Sequence, residues 1–98
     1  MLTQAQKKQL KALANPLDAI YQIGKNVLGE QQYDMLDKAL EARELIKISV
    51  LKTVNVSLSE LAIDLSMHLH AEIVQIIGHV IVLYRKNRKH PIIRLVKE

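Results

Sequence analysis

Between Ser57 and Tyr84 the hydrophobic period changes from that of a helix to that of a strand, and this change limits the fold more than any other feature. Leu58, Leu61, Ala62, Leu65 and Leu69 recur at helical spacing and so share one side of a helix. Ser57 and Glu60 stand at its start with the spacing of a capping box, in which a hydroxyl and a carboxylate each satisfy a free backbone N–H. Directly afterwards come two apolar, β-branched runs, Ile73–Ile77 and Val80–Tyr84, separated only by Gly78-His79. A glycine at the first central position of a two-residue loop favours a type II′ hairpin, because that position needs a positive φ. A helix with one apolar stripe beside a hairpin must bury that stripe on the sheet, which predicts layered α+β architecture.

The preceding residues extend the same scheme. Thr3 caps the helix-forming stretch QAQKKQLKALA, with Leu10, Leu13 and Ala14 on one side and Lys7, Lys8 and Lys11 mostly on others. Asn15-Pro16 stops that helix, since a residue before proline disfavours helical geometry. Asp18–Ile23 reads as a short strand and Gly24-Lys25-Asn26 as a turn. From about Leu28 to Arg43 the pattern is helical: Leu36, Ala39 and Leu40 form the inner stripe, joined by Tyr33 or Leu28, and Asp34, Asp37 and Glu41 lie outside. In Leu45–Leu51, Ile46, Ile48 and Val50 alternate with Lys47 and Ser49, as in a strand with two unlike faces. The predicted order is α-β-α-β-α-β-β: a compact α/β sandwich with one mixed four-stranded sheet and helices packed on it. Residues 1–85 form this domain, and residues 86–98 are a basic C-terminal extension, read as a short edge strand or a disordered tail.

With 98 residues the chain supports one hydrophobic core rather than two. It has no cysteine, which excludes a disulfide framework, a zinc ribbon and a thiol nucleophile, and fits a reducing compartment. The longest apolar run, Val80–Tyr84, is far below the ~20 residues that cross a bilayer. The polar start MLTQAQKKQLKALA lacks the apolar core of a signal peptide, so a cytoplasmic location is expected. The formal net charge is only +4, but its distribution is uneven. Residues 1–25 carry four lysines and one aspartate, residues 26–84 four basic and eight acidic groups, and residues 85–98 six basic groups and one glutamate. Basic ends around an acidic middle suit a molecule that turns one surface to a polyanion.

Catalytic chemistry has little to stand on. His68 and His70 are two apart on a helix and point to different faces, so they do not share a metal there; His79 lies in a turn and His90 in a basic run. The acidic residues fall on helix exteriors, where solvation explains them. No Ser-His-Asp pattern and no nucleotide-type glycine-rich loop is present. Neither an enzyme nor a bound cofactor or metal is expected. Ile23-Gly24-Lys25-Asn26-Val27, which links a strand to a helix, is of more interest. Backbone N–H groups at a helix start beside a lysine make an anion site; the plain alternative is a connecting turn.

The segments LDAIYQIGKNVL, ALEARELIKISVL and EIVQIIGHVIVLYR, together with the opening LTQAQKKQLKALA, resemble the YhbY-like proteins, stand-alone members of the CRM (chloroplast RNA splicing and ribosome maturation) domain family. The resemblance runs from about Leu2 to Arg85. It implies an RNA-binding fold similar to the C-terminal domain of bacterial initiation factor three. It further implies association with precursors of the large ribosomal subunit and a part in their assembly. The family's RNA-contacting signature is a G-x-x-G loop between the first strand and the second helix, akin to loops that clamp a nucleic-acid backbone. Here that loop is Gly24, Lys25, Asn26 and Val27: the first glycine and the basic residue match, and Val27 replaces the second glycine. A valine resists positive φ and fills space near the backbone, so either the phosphate approaches elsewhere or the clamp is weakened.

The expected RNA-binding set is therefore Gly24, Lys25, Asn26 and Val27, with Lys7, Lys8, Lys11, Lys47, Arg85, Lys86, Arg88 and Lys89 as supporting cations. Tyr21, Tyr33 and Tyr84 are the only aromatics, too few for base-stacking platforms, and core or rim packing is expected of each. Recognition through phosphates and shape follows. The expected partner is ribosomal RNA in a large-subunit precursor, with ribosomal proteins as a second class, no membrane, and a monomeric chain. The competing expectation is a protein-interaction module whose acidic helix, with Asp34, Asp37 and Glu41, docks a basic ribosomal protein.

Overall fold

Thr3 opens the first helix as its hydroxyl predicts: it accepts the Gln6 backbone N–H at 3.1 Å, while the Gln6 side chain accepts the Thr3 N–H at 3.0 Å. The computed structural model describes residues 2–24, 29–52 and 57–97. In chain order these form α1 (Gln4–Ala14), β1 (Tyr21–Ile23), α2 (Glu30–Arg43), β2 (Leu45–Val50), α3 (Leu58–Leu69), β3 (Glu72–Ile77) and β4 (Val80–Tyr84). The single sheet has the order β1-β2-β4-β3; β1 and β2 are parallel and the other neighbours antiparallel. This is a compact α+β fold of three helices on a mixed four-stranded sheet, the expected element order.

The sheet has a core on each face. On one side α2 and α3 present Leu36, Ala39, Leu40, Leu61, Ala62, Leu65 and Leu69 to Ile46, Ile48, Val50, Ile81 and Leu83. On the other, α1 lays Leu10 and Ala14 over Leu45, Val74, Val82 and Tyr84, with Leu2, Ile93 and Leu95 closing the edge. Strand alternation assigns residues to faces: Ile46 and Ile48 belong to the first core, Leu45 to the second. Leu13, expected on the inner side of α1, is 42% exposed and borders a groove with Leu17, Ile20 and Ile93.

Gly78 has φ +56°, and His79 is not among the residues of positive φ; a type II′ turn has this pattern. β1 is shorter than the sequence suggests, because only Tyr21, Gln22 and Ile23 find partners on β2, opposite Ile48, Ser49 and Val50. Ile20 remains 57% exposed. Residues 85–97 form no strand. They run as an irregular strap over α1 and the α2–β2 junction. Gln6 and Gln9 donate to the Val96 and Arg94 carbonyls, and Gln9 accepts the Val96 N–H.

Candidate nucleic-acid interface

β2 sets the geography of the site. Its C-terminal end lies beside Gly24: Leu51 N–H donates to the Ile23 carbonyl at 3.0 Å, and a Leu51 methyl lies 3.4 Å from where a Gly24 Cβ would sit. Its N-terminal end, Leu45, pairs with Tyr84, where the strap begins. Six residues of strand separate the two, ~20 Å at 3.3 Å each. Gly24 and the basic extension thus lie at opposite ends of the sheet. Lys25, Asn26 and Val27, with Leu28, lie outside the described residues.

The helices give the two ends opposite polarity. α2 begins after Gly29 and α3 after Ser57, both at the Gly24 end, because each helix returns antiparallel to the strand before it. Two helix N-termini contribute partial positive charge there. Gly29 donates its N–H to the Gln32 side chain at 3.1 Å, and the Ser57 hydroxyl accepts the Glu60 N–H at 3.5 Å. The opposite end collects the C-termini of α2 and α3, whose carbonyls need donors.

The strap supplies those donors, and here sequence reasoning missed the organising residue. Glu44, an acid expected on a solvated helix exterior, is fully buried. Its φ of +65° is strained for a residue with a Cβ, and hydrogen bonds hold it there. Its N–H donates to the Leu40 carbonyl and its carbonyl accepts the Arg85 N–H, both at 2.8 Å. Its carboxylate accepts three more backbone N–H groups, from Asn87 (2.7 Å), Ile92 (2.8 Å) and Ile93 (2.6 Å). These charge-assisted bonds compensate the burial of the carboxylate. The available signal was its position: an acid at a helix–strand junction, immediately before the apolar run Leu45-Ile46.

Two of the expected RNA-contacting cations have partners inside the molecule. The Arg85 guanidinium donates to the Asp37 carboxylate at 2.6 Å, the Asp37 carbonyl at 2.9 Å, the Leu69 carbonyl at 2.9 Å and the Glu41 carboxylate at 3.4 Å. Lys47, on the α1 face of β2, donates to the Ala14 carbonyl at 3.2 Å, where a cation complements the helix C-terminus. Asn87 completes the end of α2 by donating to the Glu41 carbonyl at 2.8 Å. Its side-chain oxygen accepts the N–H groups of Lys89 and His90, both at 3.0 Å, which folds residues 87–90 into a tight bend.

The other described cations of the set lie at the surface. Lys8 and Lys11 are exposed and Lys7 half-buried on α1, where with Gln4 and Ala5 they border a shallow depression of about 330 Å³. Lys86, Arg88 and Lys89 are exposed on the bend. Among the described residues they make no ion pair. They rim a cleft of about 720 Å³ that Gln6, His70 and Tyr84 also line. Among the described residues no group of three His, Cys, Asp or Glu side chains is arranged to hold a metal ion. Among the same residues no helix is long and apolar enough to cross a membrane.

The tyrosines pack as expected. Tyr33 stacks on His68 with ring centroids 4.2 Å apart and 15° between planes. Burial raises the Tyr33 pKa above its usual value, and Asp64 adds to the rise. Tyr84 is buried, its hydroxyl without a hydrogen-bond partner among the described residues; burial and then the Glu44 charge raise its pKa.

The sequence aligns with proteins of known kind over nearly its whole length. Residues 2–85 match the model of the CRS1 / YhbY (CRM) domain. "Probable RNA-binding protein YqeI" of Bacillus subtilis is 38% identical over 95 residues, covering 97% of this chain and 99% of the relative. "Probable RNA-binding protein PA4753" of Pseudomonas aeruginosa is 34% identical, covering 90% of this chain and 85% of the relative. The solution structure of protein SAV1595 from Staphylococcus aureus superposes with a TM-score of 0.82 at 43% identity, covering 98% of this chain and all of that one. With its fold shared and its sequence matched from Leu2 to Arg85, the chain belongs to the CRS1/YhbY (CRM) domain family.

Proposed function

We propose that this chain is a non-catalytic RNA-binding protein that acts on ribosomal RNA during large-subunit assembly, holding it through backbone phosphates. The observation that carries the reading is the Gly24 end of the sheet. A glycine in the family's loop position follows β1 there, beside the N-termini of α2 and α3. Two helix starts and a lysine next to a glycine are an arrangement suited to phosphate oxygens. Relatives that match nearly the whole chain are named as RNA-binding proteins, which supports the same ligand class here. Gly24, Lys25, Asn26 and Val27 are the loop contacts in this reading; Lys7, Lys8 and Lys11 add positive charge on α1, whose first turn is tied to the strap through Gln6.

The scarcity of exposed aromatics argues for phosphate and shape recognition rather than base stacking. If about five phosphates of a single strand are neutralised, log affinity falls against log salt with a slope of about −3.5. A slope near zero overturns the phosphate mechanism. Crosslinking in cells, followed by identification of the attached RNA and its position on a sucrose gradient, tests the ribosomal assignment. Recovery of RNA unrelated to the large subunit overturns that part.

Docking of a basic protein on the acidic helix is the weaker reading. Asp37 and Glu41 are already bonded to Arg85, and Asp34 pairs with Lys38 at 3.1 Å. The charges of that face are thus already paired within the chain, which weakens its pull on a basic partner.

A further inference from the structure

We infer that the strap is a second, preformed phosphodiester-binding element, with Glu44 and Asn87 as the positioning residues that hold Lys86, Arg88 and Lys89 in place for it. The inference rests on the RNA reading above and extends it. The RNA contacts the chain at both ends of the sheet, not only at the Gly24 loop.

Three observations carry it. First, the bend is ordered by the protein itself. Glu44 takes the Asn87 N–H at 2.7 Å, and the Asn87 side chain ties the Glu41 carbonyl to the Lys89 and His90 N–H groups. A basic loop fixed in this way loses less conformational entropy on binding than a free tail of the same composition. Second, the fixed loop puts its cations outward. Asn87 is the buried residue of the turn, while Lys86, Arg88 and Lys89 are exposed and without ion-pair partners among the described residues. The neighbouring Arg85 is committed to Asp37 and Leu69, so the structural and the free cations of this segment are separated residue by residue.

Third, these cations rim a cleft of about 720 Å³. Tyr84 lines it, but its hydroxyl is buried and out of a ligand's reach. Gln6 lines the same cleft. The rim cations, not the wall, are what suit phosphate oxygens. The cleft also contains Glu41 and Glu72, so a fully neutralised polyanion groove is not its character. Contacts at the rim, one phosphate per cation, fit this charge pattern better than deep insertion of a base. The occupant is accordingly the sugar–phosphate backbone of single-stranded RNA that has passed the Gly24 end. At ~3.4 Å per stacked nucleotide, the ~20 Å between the two ends corresponds to about six nucleotides.

The test uses a mixed-sequence single-stranded RNA of about 20 nucleotides, with the salt slope as the readout. Replacing Lys86, Arg88 and Lys89 by Ala should reduce the slope's magnitude by about 2, the share of three phosphates. Asn87→Ala, which frees the bend but leaves its cations, should weaken binding several-fold. In the Asn87→Ala background the triple substitution should then cost less than in the wild type. Glu44→Gln replaces one carboxylate oxygen with an amide NH2 and should behave as Asn87→Ala does, with an added loss of stability. If Glu44→Gln does not fold, Asn87→Ala decides the matter alone. Should the triple variant keep the wild-type slope, the strap is not a contact and the inference falls while RNA binding at the Gly24 end stands. Equal costs of the triple substitution with and without Asn87 overturn the positioning role. Absence of any salt-dependent binding by the wild-type chain overturns the RNA reading itself.

Discussion

Arg85 grips Asp37 twice: one guanidinium nitrogen donates to its carboxylate at 2.6 Å and the other to its backbone carbonyl at 2.9 Å. The first nitrogen also reaches the Leu69 carbonyl at the end of α3, so one side chain joins the C-terminal halves of α2 and α3 to the end of β4. The Arg85 side chain is 18% exposed and Asp37 55%, so the ion pair by itself is modest; the two backbone acceptors add to it. Arg85→Ala should cost about 1–3 kcal/mol, because it leaves a part-buried carbonyl without a donor. Arg85→Lys should recover less than half, since an ammonium cannot reproduce the planar fork. Urea unfolding measures both. A wild-type midpoint for Arg85→Ala contradicts the structural role.

Tyr84 offers a stabilising substitution. Its buried hydroxyl lacks a partner among the described residues, and an unsatisfied hydroxyl is costly to keep from water. Tyr84→Phe should raise stability by about 1 kcal/mol near neutral pH. The pH dependence has a definite sign. Burial and then the Glu44 charge raise the folded-state pKa above 10.0, so above that pH the folded chain retains a proton that the unfolded chain releases. Stability from this group is complete below about pH 10 and declines as pH rises toward the folded-state value. Unfolding midpoints of Tyr84→Phe should therefore fall less between pH 9 and pH 11 than those of the wild type. Parallel curves would show that Tyr84 does not contribute to the alkaline loss.

Periodic burial was the legible part of the fold. The stripe Leu61, Ala62, Leu65 and Leu69 and the alternation through Ile46, Ile48 and Val50 each encode a face, and every one of these residues is buried. Gly78 marks its turn through a backbone requirement that few other residues meet. Hydrogen bonds between segments far apart in sequence were not legible. The Glu44 carboxylate bonds to residues 43 to 49 positions away, and its place just before Leu45-Ile46 hints at burial without indicating those partners. The same limit affected the cations. Arg85, Lys86, Arg88 and Lys89 read as one basic run, yet Arg85 turns inward while the other three are exposed. Nor could local pattern reveal that Gly24 and this run sit at opposite ends of β2, since that follows from the pairing register.

The Gly78 turn isolates backbone strain from packing. A Cβ placed on Gly78 meets no atom within 4 Å, so the cost of a side chain there is conformational alone, at φ +56°. Gly78→Ala should destabilise by about 1–2 kcal/mol, and Gly78→Asn by less, because asparagine tolerates the left-handed region. Thermal unfolding followed by circular dichroism distinguishes them. Equal losses for Ala and Asn would mean that something other than φ sets the cost.

The Gly24 loop gives the sharpest functional prediction, because this sequence carries a natural departure from the family pattern. Val27 occupies the position of the second glycine. If the loop holds an RNA backbone, Val27→Gly removes a side chain from the approach and lifts the restriction on φ. Affinity for single-stranded RNA should then rise several-fold with the salt slope unchanged, since no charge is altered. Lys25→Ala should do the reverse: weaker binding, a slope smaller in magnitude by about 0.7, and an unchanged unfolding midpoint. The pair separates geometry from charge at one site. An unaltered affinity in both variants would remove the loop from the interface and leave α1 and the strap as its only supports.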